Sequence, residues 1–188
     1  MLGKAWWHTT EQDETRPRWD VVLLDAPATG HGLTWLRLPV QMRDMFASGP
    51  IHDLAARIVD RLVAPSRCSV VVVTLPEEMP TTETVELAAT LEEELGLHVR
   101  HVVVNQVLPP LFSQGERATL DGLGELAVTD AGSAALRSAR HRAVRERVQA
   151  ESLARLAKSL PGPPKTYLPL LFEDAAAPSA IKELAKRL

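Results

Sequence analysis

Asp25 stands where a short apolar run, Val21 to Leu24, stops, and a loop with Pro27, Gly30, His31 and Gly32 follows it. An apolar run between turn signals predicts a strand buried on both faces. In an open α/β sheet, ligands gather outside the carboxyl ends of the strands. A carboxylate at that edge can hold Mg²⁺, directly or through water, beside a nucleotide phosphate. The plainer alternative is that Asp25 caps a turn and His31 is an ordinary loop histidine. A second polar residue, Asn105, follows another apolar run, Val99 to Val104. Taken alone it reads as a turn-forming asparagine.

The stretch Asp25-Ala26-Pro27-Ala28-Thr29-Gly30-His31, with Leu33 and Pro39 after it, resembles the D-T-A-P-T-G-H-T-L segment of the ArsA-type anion-transporting ATPases. That family includes arsenite-pump ATPases and targeting ATPases for tail-anchored membrane proteins. The resemblance extends to Leu75-Pro-Glu-Glu-Met-Pro-Thr-Thr-Glu-Thr84, a strand exit and helix start, and to Asn105-Gln106-Val107-Leu108-Pro109. It implies a three-layer, P-loop NTPase-like (SIMIBI-type) α/β fold with a mostly parallel sheet flanked by helices. It implies that Asp25 is the Mg²⁺-linked acid and that Thr29, Gly30 and His31 belong to a switch loop. It also implies an adenine pocket made by Asn105, Pro169, Leu170 and Glu173. A carboxamide has both a donor and an acceptor to offer an adenine edge. ATP and Mg²⁺ are the implied ligands, and a homodimer or two fused halves is the implied assembly.

The elements that must position these residues follow from periodicity. Residues 1–18 read as linker or remnant loop, and residues 19–188 as the C-terminal part of an ATPase domain. Leu33–Leu38 and Met42–Ala47 are expected as short helices. Ile51, Leu54, Ala55, Ile58 and Leu62 mark the apolar stripe of another. Together they form a helical insertion at about 33–64, on which Met42, Met45 and Phe46 could offer a soft client surface. Four valines, Val70 to Val73, predict a central parallel strand. A helix is expected from about Thr81 to Leu95, stopped by Gly96. Residues 111–132 read as loop, and 133–160 as a long amphipathic basic helix interrupted by Glu146 and Glu151. A last strand is expected over 166–173, and a closing helix over 178–188. Strands alternating with helices imply parallel βαβ units.

The expected sheet is incomplete, because the strands of the N-terminal half are missing. No glycine-rich loop ending in Lys-Ser/Thr is present. Leu2-Gly3-Lys4 lacks the preceding glycines, and in Gly162-Pro163-Pro164-Lys165-Thr166 the prolines have no N–H for phosphate. The sequence is therefore read as either a truncated chain or a natural half-protein, inactive without a P-loop from an N-terminal half or second subunit. Composition adds bounds. A net charge of −3 gives no general pull toward nucleic acid. The single cysteine, Cys68, excludes an internal disulfide and suits a cytoplasmic protein. It also leaves no thiolate set for a metalloid. The competing expectation is a non-catalytic module that presents an apolar helical surface to a client or membrane partner.

Overall fold

The computed structural model describes residues 2–123, 130–172 and 177–188. The backbone groups into two compact units, Met1–Val70 with Glu86–Arg100, and Val71–Val85 with His101–Leu188.

The first unit opens with helix α1 (Leu2–Thr10) and a two-residue antiparallel hairpin, β1 (Gln12–Asp13) and β2 (Arg16–Pro17). The linker reading of 1–18 is corrected here. Glu11 explains why this polar stretch is ordered. Its carboxylate meets His8 Nδ1 at 2.9 Å and accepts from the indoles of Trp7 and Trp19, both at 2.9 Å. Those bonds, led by His8, hold its pKa down at about 2.

Residues 21–27 then run without regular structure, and Leu23 is 92% exposed. The strand expected at Val21–Leu24 is therefore not formed. A strand buried on both faces exists only where neighbours supply ladder partners and covering layers, and this run has none. Helix α2 (Thr29–Met45) follows as one helix where two short ones were expected, with Pro39 inside it. Helix α3 (Pro50–Leu62) has proline in its first turn, Asp53 near its positive end, and Gly49 before it at φ 106°.

Strand β3 (Val70–Thr74) and helix α4 (Glu78–Leu95) come next. Gly96, at φ 63°, ends α4 as expected, and the N–H groups of Gly96 and Leu97 cap the carbonyls of Glu92 and Leu91. The core of the first unit is Val63, Leu91 and Leu97, packed by Leu33, Leu36, Val59 and Leu87. Arg37 forms a forked ion pair with Glu94 beside it.

The second unit holds most of the parallel sheet, whose order is β3-β4-β5, with strand β4 (Val99–Val107) in the middle. Helix α5 (Gln114–Gly122) lies in the stretch expected to be loop. A capping box starts it: Ser113 accepts from the Glu116 N–H, and Glu116 accepts from the Ser113 N–H. Helix α6 (Asp130–Ser159) is the long basic helix. Strand β5 (Lys165–Pro169) runs parallel to β4, with Val102 opposite Lys165 and Val104 opposite Tyr167. Helix α7 (Pro178–Ala185) is the last element.

The α/β class with a parallel sheet flanked by helices is thus the one expected. The order of strands is not. Val102 and Val104 of β4 are fully buried, so β4 is the central strand. The valine run of β3 lies at an edge, with Val71 at 55% and Val73 at 66% exposure. Among the described residues, no helix is long and apolar enough to cross a membrane.

The packing predicts the cost of hollowing the first unit. Leu91→Ala, at a side chain that is only 1% exposed, should lower unfolding free energy by about 3 kcal/mol. Urea denaturation measures this, and a loss below about 1 kcal/mol would contradict the assigned core.

Candidate functional site

The carboxyl ends of β4 and β5 meet in an irregular edge. Between Val104 and Val107 the register slips: Val104 faces Tyr167, but Val107 faces Pro169. Three steps on β4 oppose two on β5, so one residue is extra, which makes a β-bulge. Gln106 takes up the kink at φ 58°, in the left-handed region that non-glycine residues seldom occupy. Asn105 stabilises it by accepting the Gln106 N–H on Oδ1 at 2.9 Å. The Leu170 N–H then donates to the Val107 carbonyl at 2.8 Å.

Asn105, Pro169 and Leu170 are thereby brought to one sheet edge, and all three are half-buried. Asn105 makes the local turn bond that the plainer reading expected, yet its NH₂ and the second lone pair of Oδ1 remain for a ligand edge. Glu173 lies outside the described residues.

The loop beyond the bulge is strapped to α6. Gln149 makes two bonds to Leu108, accepting its N–H at 2.8 Å and donating to its carbonyl at 3.0 Å. Glu146 accepts from the Leu111 N–H at 2.9 Å, from Arg142 at 2.8 Å and from Arg117 at 3.0 Å. Arg142 also donates to the Pro109 carbonyl and lies 5.9 Å over the Phe172 ring.

Glu146 is only 4% exposed, so the expectation that it merely interrupts a solvated basic face is wrong. Burial works against its charged form. The hydrogen bonds from Arg142 and Leu111 and the positive charges of Arg142 and Arg117 outweigh that, and its pKa is lowered. The Arg142–Glu146 spacing of four was a legible pairing signal. The sequence holds no comparable sign of its burial, or of Gln149 reaching Leu108.

The switch-loop residues sit elsewhere, in the first unit. Asp25 is exposed in the irregular stretch before α2, and the strand expected to lead up to it is not formed. Thr29, Gly30 and His31 form the first turn of α2 and not a loop. The N–H groups of His31 and Gly32 both bond the Ala28 carbonyl. A Cβ at Gly32 would come 3.0 Å from the Pro27 carbonyl oxygen, a tight contact.

Lys165, at the end of the suggestive Gly-Pro-Pro-Lys-Thr stretch, donates to the carbonyls of Leu160 and Pro163. It finishes α6 rather than reaching for phosphate. Among the described residues, no group of three or more metal-ligating side chains exists. A phosphate-bound Mg²⁺ needs only one or two carboxylates, so Asp25 remains compatible with that part.

A three-stranded parallel sheet flanked by helices is consistent with a P-loop NTPase-like fold. The model of the Anion-transporting ATPase family (ArsA) matches residues 51–117, which run from α3 through β3, α4 and the Asn105 bulge into α5. A Halobacterium salinarum protein named "Putative arsenical pump-driving ATPase" is 30% identical over 99 residues, 48% of this chain and 15% of its own length. ATPase BagA of Mycobacterium tuberculosis is 30% identical over 93 residues, 50% of this chain and 27% of its own length. The ArsA resemblance read from the sequence is borne out over that stretch. The chain spans well under a third of the length of these relatives.

The buried carboxylate gives a pH prediction. The stability Glu146 contributes is full above the ordinary glutamate pKa of about 4.3 and is lost as pH falls through its lowered value. Glu146→Gln should abolish that part of the acid dependence. It should also cost about 3 kcal/mol at neutral pH, by leaving two arginines without their counter-charge. Denaturation curves across an acid pH series would show it, and superimposable wild-type and variant profiles would refute it.

Proposed function

We propose that this chain is the base-binding, C-terminal portion of an ArsA-like ATPase, coupling ATP hydrolysis to transport or targeting of a cargo. Asn105 reads the adenine edge, and Pro169 and Leu170 flank the ring. Glu173, outside the described residues, is assigned to that pocket by the family resemblance alone. Asp25 is the acid linked to Mg²⁺, and Thr29, Gly30 and His31 relay the loss of phosphate. The phosphate cradle comes from an N-terminal half or a second subunit, in a homo-oligomer or a joined pair. Nucleic acid is not a partner of this site, and the working compartment is the cytoplasm.

The observation that carries the reading is the Asn105–Gln106 bulge beside Pro169, inside and next to the stretch matched by the family model. A bulge next to a strand's carboxyl end re-aims a polar side chain toward a ligand. The isolated chain is inactive, because phosphoryl transfer depends on positioning and on charge neutralisation by the cradle and Mg²⁺.

A second reading rests on α2. Leu38, Met42, Met45 and Phe46 are all exposed, Met45 by 75%, which suits a module that holds an apolar client or membrane partner without nucleotide.

Titration with a fluorescent ATP analogue and Mg²⁺ separates the two. The chain with an added P-loop half should bind, and Asn105→Ala should weaken that binding about tenfold. The chain alone should release phosphate at the no-enzyme rate. Unchanged affinity in the Asn105 variant would sink the adenine assignment, and turnover by the isolated chain that Asp25→Asn abolishes would sink the need for a cradle.

A further inference from the structure

The outer face of α6 carries a second cluster that the base edge does not use. Arg137, His141 and Arg145 follow at four-residue steps and so stack on one side of the helix. With Ala134, Ser138 and Arg142 they line an open groove of about 600 Å³. Among the described residues, no carboxylate lines it. Glu146, the acid next to Arg145 in the chain, is buried and already shared by Arg142 and Arg117. Arg137 and Arg145 have no ion-pair partner among the described residues. Arg137 and Arg145 stand two turns apart, so this face presents two cations without a counter-charge among the described residues. Its wall is nonetheless fixed, because Arg142 is held by Glu146, the Pro109 carbonyl and the Phe172 ring.

We propose that this groove binds a small anion carrying more than one phosphate group. Three successive helical turns present cations, which gives separate points of attachment along the ligand. Guanidinium forks match phosphate oxygens two at a time. The recess has the size of a small-molecule site, for which about 300–1,000 Å³ is usual. Among the described residues no aromatic ring lines it, which gives nucleic-acid bases no stacking platform there. Among the described residues Ala134 is its one apolar lining side chain, too small to anchor the face in a bilayer.

Calorimetric titration of the full chain with tripolyphosphate at low salt tests this, and because that probe has no base the result is independent of Asn105. One equivalent should bind. The double variant Arg137→Ala/Arg145→Ala should weaken binding by about tenfold or more. Arg137→Lys/Arg145→Lys, which keeps the charge and loses the forks, should fall between. Arg147→Ala, an exposed arginine outside the groove, should leave the affinity unchanged. Absence of binding, or equal binding by wild type and the double alanine variant, overturns the proposal. Tighter binding to single-stranded DNA or to phosphatidylglycerol vesicles than to tripolyphosphate also overturns it, by making the face a nucleic-acid or membrane contact.

Discussion

A charge that cannot be left alone fixes the second unit. Glu146 is buried, and a buried carboxylate must be paired and hydrogen-bonded or be protonated. Its partners come from three places: Arg142 on its own helix, Arg117 on α5, and the Leu111 backbone beyond β4. The one carboxylate therefore joins α6, α5 and the exit of the central strand. Gln149, one turn further along, repeats the device at Leu108. The bulge at Asn105 is held in place because the chain just after it is clamped at both points.

The same dependence explains how the sheet edge keeps its shape. The β4–β5 ladder sets Val107 opposite Pro169, the bulge turns the backbone, and the clamp prevents it from straightening. A left-handed Gln106 is costly, and such a residue persists only where its surroundings over-determine it. Here they do so next to the two segments that offer polar groups to a ligand. The geometry and the family match meet at this edge, while the Asp25 segment lies outside the matched residues.

The exposed apolar chain tells a complementary story. Val21, Leu23, Leu24 and the outer valines of β3 have the composition of buried strand, yet they are exposed. Strand propensity largely measures fit to a half-buried, partnered surface. Without a neighbour, an apolar run has neither ladder bonds nor cover. Asp25 follows that unpaired run and lies exposed before α2. The helical half of the same segment behaves differently. α2 needs no partner strand for its backbone bonds, and it forms over Pro39 as one helix.

Features that depend on neighbours in sequence were legible before any coordinates. The Ser113–Glu116 spacing carries the capping box, although the surrounding stretch was read as loop. Gly96 marks the end of α4, the Ile51–Leu62 stripe marks α3, and Val99 to Val104 mark the strand that became the centre of the sheet. Each rests on interactions spanning a few residues. What only the tertiary structure decided were the properties set by distant parts of the chain: which valine strand is central, that Val21–Leu24 stays unpaired, that Glu146 is inside, and that Asn105 stands beside Pro169. A residue's burial and its strand partners depend on which surfaces meet after folding, and local pattern holds no record of that meeting.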